Sequence, residues 1–132
     1  MVPCPVALGL MVCEKIIVEE GTRNVTLVGC FARLRVDQFP TGPQRFAVYA
    51  VLRDGHGRAT ISLVATRLDT GEETYNVQGV VHFPDRLTDV HALFRVNHCS
   101  FPAPGQYALA LLIDGELVAQ RQIEVMAQGG QS

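Results

Sequence analysis

The stretch at residues 107–125, YALALLIDGELVAQRQIEV, decides the fold class. Apolar side chains alternate along residues 107–113, and a second strand-like run follows at residues 117–125. Asp114 and Gly115 lie between the two runs. An Asp-Gly pair favours a type I′ turn, because both central residues of that turn need a positive φ. The stretch therefore predicts an antiparallel β-hairpin.

The same two-residue period continues over the rest of the chain, and the 3.6-residue period of a helix never dominates it. Turn signals recur every ~8–12 residues, which is the spacing expected of a sandwich or a barrel. We therefore predict an all-β fold, an antiparallel β-sandwich of about eight strands with immunoglobulin-like or Greek-key connections. The predicted strands are residues 10–20, 25–36, 45–53, 59–66, 73–83, 90–96, 107–113 and 117–125.

Two of these strands have features that predict their place or shape. Residues 25–36 are largely apolar on both faces, which predicts a central strand. Gly79 lies in the middle of a strand, which predicts a bulge or a close approach of another backbone segment.

The length and composition are those of one globular domain. The chain has 132 residues, of which 48% are hydrophobic and 18% charged, and this balance argues against disorder. We predict a single domain over residues 1–127 and a disordered C-terminal tail over residues 128–132, where the sequence is polar and rich in glycine.

Charge and hydropathy argue against two classes of partner. The net charge is −2 and no basic stripe is present, so we expect no nucleic-acid binding. No apolar run reaches the ~18 residues needed to span a membrane, so we expect no membrane partner. The apolar N-terminal residues 1–12 lack the positive charge of a signal peptide, which predicts a cytoplasmic protein.

The four cysteines are Cys4, Cys13, Cys30 and Cys99. They are widely spaced and form no Cys-x-x-Cys pair, which argues against a zinc or redox motif. Cys30 and Cys99 are candidates for a bridge between two sheets, as in immunoglobulin cores, where such a bridge packs on a tryptophan. This chain has no tryptophan, and we expect free thiols.

No catalytic motif is present in the sequence. It lacks the Gly-x-Ser-x-Gly, phosphate-loop and His-Glu-x-x-His patterns. His98 is adjacent to Cys99, but neighbours on a strand point to opposite faces and would not form a catalytic pair. We therefore predict a protein that is not an enzyme and that uses no cofactor.

Acidic residues in alternate loops form the one candidate metal site. In an up-and-down topology these loops meet at one end of the sandwich, and calcium binds several carboxylate oxygens from adjacent loops. The alternative is that aspartate occurs there because it stabilises turns. The candidate ligands are Asp54, His56, Asp85, Asp89 and Asp114, with Glu116 beside the last.

The sequence resembles an uncharacterised family of small bacterial proteins. The resemblance lies in residues 13–22, CEKIIVEEGT, and 25–31, VTLVGCF, with Pro-Gly-x-Tyr at residues 104–107 and Asp-Gly-Glu at residues 114–116. It implies an immunoglobulin-like β-sandwich and no established activity. It also implies that residues 7–12 belong to a first strand.

A sandwich without catalytic groups commonly acts through its loops, a sheet face or a strand edge. We therefore expect a binding or scaffold module that takes a protein partner or self-associates through an edge strand, as a possible homodimer. The apolar first strand, with Val6, Leu8, Leu10 and Val12, is the expected edge. The alternative is a sandwich that binds a small molecule or a metal.

Overall fold

The structure is a computed structural model that describes residues 5–128. Within that range the chain forms nine strands and no helix, which confirms the all-β prediction. The strands are β1 (Val6–Val18), β2 (Val25–Cys30), β3 (Arg33–Val36), β4 (Gln44–Arg53), β5 (Gly57–Arg67), β6 (Glu73–Phe83), β7 (Val90–Cys99), β8 (Gly105–Ile113) and β9 (Glu116–Ala127).

The strands form two sheets. The four-stranded sheet has the order β2-β1-β4-β7, and each of its neighbouring pairs is antiparallel. The five-stranded sheet has the order β3-β9-β8-β5-β6, in which only the β3–β9 pair is parallel. The outermost strands are therefore β2 and β7 in the first sheet and β3 and β6 in the second.

The predicted strand at residues 25–36 is two strands, and its predicted central position is wrong. The chain leaves the four-stranded sheet after Cys30 and joins the five-stranded sheet at Arg33. Its apolar residues serve two different clusters. Leu27 packs on a small cluster around Cys13, Ile16 and Ala47, whereas Leu34 packs on the main core. An apolar pattern on both faces therefore arises here without a central strand.

The predicted edge position of the first strand is wrong for its C-terminal half, which lies between β2 and β4, whereas residues 6–11 have a strand partner on the β4 side alone. β4 pairs with residues 6–13 of β1, and β2 pairs with residues 13–18. Cys13, where the two paired segments meet, has Cys30 of β2 as its partner on one side and Ala47 of β4 on the other. The pairing with β2 stops there because the chain crosses to the other sheet after Cys30.

One continuous cluster of buried side chains joins the two sheets. Burial of a side chain of this size stabilises the fold by ~1.5–3 kcal/mol. The largest members that are almost fully buried are Tyr107, Phe83, Phe101, Leu52, Leu63, Leu109, Leu111, Ile113, Ile123, Val12, Val48 and Val96.

The structure confirms the C-terminal hairpin. Asp114 and Gly115 have φ angles of 50° and 85°, so both adopt the positive φ that the Asp-Gly pair predicts. The Asp114 N–H donates to the Thr60 carbonyl over 2.8 Å, and the Asp114 Oδ1 accepts from the Thr60 N–H over 2.9 Å. The turn is therefore also tied to β5. Of the predicted tail, Gln128 donates its N–H to the Val36 carbonyl, and residues 129–132 lie outside the described range.

A buried tyrosine ties the start of β8 to the connection before it. The Tyr107 hydroxyl donates to the Ala103 carbonyl over 2.6 Å. We expect Tyr107→Phe to lower the free energy of unfolding by about 1–2 kcal/mol, because the carbonyl loses its partner while the ring stays packed. Urea unfolding measures this loss, and an unchanged stability would contradict the assigned role of the bond.

Candidate functional site

A groove runs between the outermost strands β6 and β7, one from each sheet. Its volume is about 440 Å³. Its walls are mainly apolar, and they consist of Ile61, residues 77–81 of β6 and residues 91–94 of β7. An extended segment placed in this groove would lie between two strand edges.

The hydrogen bonds on the β8 side of β5 show which residues of β5 direct their backbone groups to β6, and hence which backbone groups of β6 point away from β5. The Thr60 carbonyl accepts from Asp114, so the backbone of Thr60 faces β8. Successive residues of an antiparallel strand direct their N–H and C=O groups to alternate sides. Ile61 therefore faces β6, where its register partner is Gly79.

The same alternation continues along β6. Gly79 directs its backbone groups to β5, so Gln78 and Val80 direct theirs away from β5, as do Asn76 and His82. The side chains of these four residues are exposed, whereas Val81 is buried. The outer edge of β6 therefore offers free N–H and C=O groups at every second residue.

Beyond the bulge at Thr74, where the register with β5 shifts, this edge lacks the features that usually prevent strand pairing. Natural edge strands are commonly short, or carry lysine, proline or inward-pointing charges. β6 has 11 residues without Lys, Arg or Pro, and Val80 is 63% exposed. By contrast, β3, at the other edge of the five-stranded sheet, has 4 residues. β2, at one edge of the four-stranded sheet, has 6 residues.

The edge of β7 is more polar. The Tyr49 hydroxyl is hydrogen-bonded to Nδ1 of His91. Burial, and after it the charge of Asp89, raises the pKa of Tyr49. Arg95 donates to the Ile16 carbonyl over 3.3 Å. These contacts reach towards β4 and β1, so the two edges differ mainly in composition. β7 contains Arg95 and two histidines, whereas β6 has no Lys or Arg, and β6 is the better edge for another strand.

Gly79 forms part of the groove wall. The predicted bulge is not at this residue, because the β5–β6 register is regular there and shifts only between Ala65 and Thr66. A Cβ atom at Gly79 would lie 3.9 Å from Cγ2 of Ile61, which is ordinary van der Waals contact. The glycine thus leaves space in the groove beside a backbone edge.

The loops that carry the predicted metal ligands do lie near one another. The Asp54 N–H donates to the Arg86 carbonyl over 3.2 Å, which joins the β4–β5 loop to the β6–β7 loop. Asp114 is bonded to Thr60 at the start of β5. His56 is exposed in the first of these loops.

The carboxylates themselves have local partners. Asp85 accepts from the N–H groups of Leu87 and Thr88, each over 2.8 Å. The Thr88 hydroxyl, followed by these two N–H groups, lowers the pKa of Asp85. Asp89 accepts from Nε of Arg53 over 2.7 Å.

Residues 5–128 contain no group of three or more His, Cys, Asp or Glu side chains placed to hold a metal ion. The calcium hypothesis for Asp54, His56, Asp85, Asp89 and Asp114 stays a prediction. A thermal melt with calcium and with a chelator tests it. A calcium-dependent rise in melting temperature would support the site, and an unchanged melt would discard it.

The cysteine in β7 is unsuited to nucleophilic chemistry. Cys99 is fully buried and the neighbouring His98 is exposed, which fits their predicted opposite faces. Burial raises the pKa of Cys99 to about 12. Since the thiolate is the reactive form, this thiol is a poor nucleophile at neutral pH.

The sequence prediction missed the groove and the β6 edge. The groove needs two strands that are outermost in different sheets, and the pattern of side chains along a strand does not report its neighbours. The one local signal is composition, because residues 73–83 form a long strand without Lys, Arg or Pro.

The fold and the groove define a small all-β protein of two sheets with a free strand edge. The chain belongs to a family of unknown function, DUF6941, whose sequence profile matches residues 8–126. This confirms the predicted membership of an uncharacterised family. A search of curated proteins found no match.

Among solved structures, the chain is similar to the Pseudomonas fluorescens alkylpurine DNA glycosylase AlkC bound to DNA containing an abasic site analog. The TM-score is 0.48 and the sequence identity is 11%. The alignment covers 92% of this chain and 30% of the glycosylase chain. The chain thus spans less than a third of that enzyme.

No helix formed by residues 5–128 is long and apolar enough to cross a membrane. The cytoplasmic location stays a prediction from the sequence.

Proposed function

We propose that the protein is a non-catalytic, immunoglobulin-like β-sandwich module that self-associates by pairing β6 with β6 of a second copy. The free edge of β6 is the observation that carries this proposal. Strand addition at an exposed edge is a common mode of recognition, in which main-chain hydrogen bonds contribute affinity and side-chain pockets contribute specificity.

Two features support the immunoglobulin-like sandwich. The order β9-β8-β5-β6 matches the G-F-C-C′ order of variable-type immunoglobulin sheets. Tyr107, near the start of β8, bonds back to the carbonyl of Ala103, as in the tyrosine corner of these domains. The main core between the two sheets fits the same architecture.

The second copy is favoured because the β6 edge is complementary to itself. An antiparallel pair centred on Gln78 places Asn76 opposite Val80 of the second copy. No two like charges face each other, and like charges directly opposite would destabilise the pair. Glu73 is the sole Asp or Glu in β6.

The inner side of β6 also fits this arrangement. In the same register Val77 lies opposite Gly79 of the second copy. Val77 is half-buried and lines the groove, and Gly79 has no side chain to fill the space. Each copy would therefore contribute an apolar side chain at a point where the other has a gap.

Light scattering tests this proposal with two variants that act only on the free edge. Gln78→Pro removes an N–H that faces away from β5, so the β5–β6 hydrogen bonds remain. Val80→Lys places a charge on the pairing surface. We expect the wild-type protein to be dimeric at high concentration and both variants to be monomeric.

Leu117→Lys is the matched control, because Leu117 is also an exposed apolar residue, at 56%, but lies in β9. We expect it to remain dimeric. Circular dichroism checks that each variant is folded. A wild-type protein that is monomeric at millimolar concentration, or a dimer that survives both β6 variants, would overturn the proposal.

The size of the groove favours a second candidate, a sandwich that binds a small molecule. Its volume of about 440 Å³ is within the ~300–1,000 Å³ range of ligand pockets. Its apolar wall and a few polar groups, such as those of Gln78 and His91, suit a mainly apolar ligand. A screen of such ligands by thermal melt tests this alternative, and ligand stabilisation of a monomer would favour it.

A further inference from the structure

Cys13 of β1 and Cys30 of β2 are direct register partners in an antiparallel pair. The Phe31 N–H donates to the Val12 carbonyl over 3.0 Å, so residues 12 and 31 face each other through hydrogen bonds. Hydrogen-bonded and non-hydrogen-bonded pairs alternate along an antiparallel ladder. Cys13 and Cys30 therefore form a non-hydrogen-bonded pair.

This position brings the two side chains together on one face of the sheet. Cα atoms in a non-hydrogen-bonded pair are ~4.5 Å apart. Disulfides join residues whose Cα atoms are ~4.4–6.8 Å apart. A regular non-hydrogen-bonded pair therefore meets the distance requirement of a cross-strand disulfide.

The two thiols differ in their access to solvent. Cys13 is fully buried in the small cluster with Ile16 and Ala47, and its Sγ donates to the Lys15 carbonyl over 3.4 Å. Cys30 is exposed. Both are free thiols in the structure. A reagent in solution therefore meets Cys30 first.

We propose that Cys13 and Cys30 form a dithiol modification site that a low-molecular-weight disulfide oxidises to an intramolecular disulfide. The Cys30 thiolate attacks one sulfur of the small disulfide, forms a mixed disulfide and releases one small thiolate. The sulfur of Cys13, after losing its proton to solvent, then attacks Cys30 Sγ. The second small thiolate leaves and takes up a proton.

The reaction balances as two protein thiols and one small disulfide giving one protein disulfide and two small thiols. The small disulfide is the oxidant, and no other co-reactant is needed. A thiolate attacks and a thiolate leaves in each step, which is the usual course of thiol–disulfide exchange.

The division of roles follows from burial. Burial, followed by the neighbouring Cys30, raises the pKa of Cys13, which keeps this thiol protonated and slow to react with reagents in solution. Once Cys30 carries the small thiol, the adjacent Cys13 attacks within the molecule, where its proximity compensates for its low thiolate fraction. Cys13 is thus the resolving thiol.

The experiment treats the full chain with oxidised glutathione and uses mass spectrometry. A Cys4→Ser background removes the remaining N-terminal thiol. We expect the mass to fall by two hydrogen atoms, peptide mapping to join Cys13 to Cys30, and dithiothreitol to restore both thiols. Cys99 is the internal control, since its burial and high pKa predict that it stays a thiol.

Adding Cys13→Ser to this background separates the two steps. We expect this variant to keep one glutathionyl group on Cys30, because the resolving thiol is absent. The Cys4→Ser protein, which retains Cys13, carries no substitution in the core and gives the decisive result. If this protein keeps the glutathionyl group on Cys30 beside a free Cys13, or if its Cys30 does not react, the proposal is overturned.

Discussion

Gly55→Ala is expected to lower the free energy of unfolding by about 3 kcal/mol, as overpacking of a full core does. Gly55 is buried in the loop between β4 and β5. A Cβ atom there would lie 2.4–2.5 Å from three ring atoms of Phe83. Phe83 is itself almost fully buried, so its ring has no free space to enter. Urea unfolding monitored by circular dichroism measures the loss.

Gly42→Ala is the matched control, because a Cβ atom at Gly42 would meet no heavy atom within 4 Å. We expect it to change stability by no more than ~0.5 kcal/mol. In a double mutant, Phe83→Leu should recover part of the loss from Gly55→Ala, since the smaller side chain vacates the contact. A Gly55→Ala protein as stable as the wild type would contradict the assigned clash.

The strands and the C-terminal hairpin could be predicted because local chemistry determines them. Asp114 and Gly115 adopt the positive φ angles that their residue types favour. Gly71, between β5 and β6, likewise has a positive φ, 74°. In these cases the turn residues and the period-two pattern are short-range properties, and the structure retains them.

The positions of the strands in the sheets could not be predicted in the same way. Side-chain alternation reports which faces are buried, whereas strand order depends on contacts between residues far apart in sequence. The crossing between Cys30 and Arg33 is an example, since it divides one apolar run between two sheets. The groove between β6 and β7 was missed for the same reason.

The cysteine pair was missed because of an error in register. Strands predicted at residues 10–20 and 25–36 imply that Glu20 faces Val25, which would place Cys13 opposite Ala32. In the structure Val18 faces Val25, and Cys13 faces Cys30. Gly21 and Arg23, with φ angles of 83° and 64°, lie in the longer turn that makes this difference.

Phe101→Ala is expected to lower the free energy of unfolding by about 3–5 kcal/mol, the range for loss of a fully buried phenylalanine. Phe101 is fully buried, and its ring meets that of Tyr107 edge to face with centroids 4.8 Å apart. The Phe101 N–H donates to the Thr41 hydroxyl over 2.9 Å, and the Thr41 N–H donates to the Phe101 carbonyl over 3.0 Å. The alanine variant keeps these backbone bonds but leaves a cavity beside Tyr107.

For a domain of this size the expected loss corresponds to a fall in melting temperature of about 11–18 °C. Phe101→Leu is the control for volume and should cost less, since most of the cavity stays filled. Neither variant changes β6, so under the proposed β6 pairing we expect both to be dimeric while folded, unlike Val80→Lys. A Phe101→Ala protein that melts with the wild type would show that the connection before β8 does not depend on this ring. A folded but monomeric Phe101→Ala protein would show that the β6 edge depends on the core at that connection.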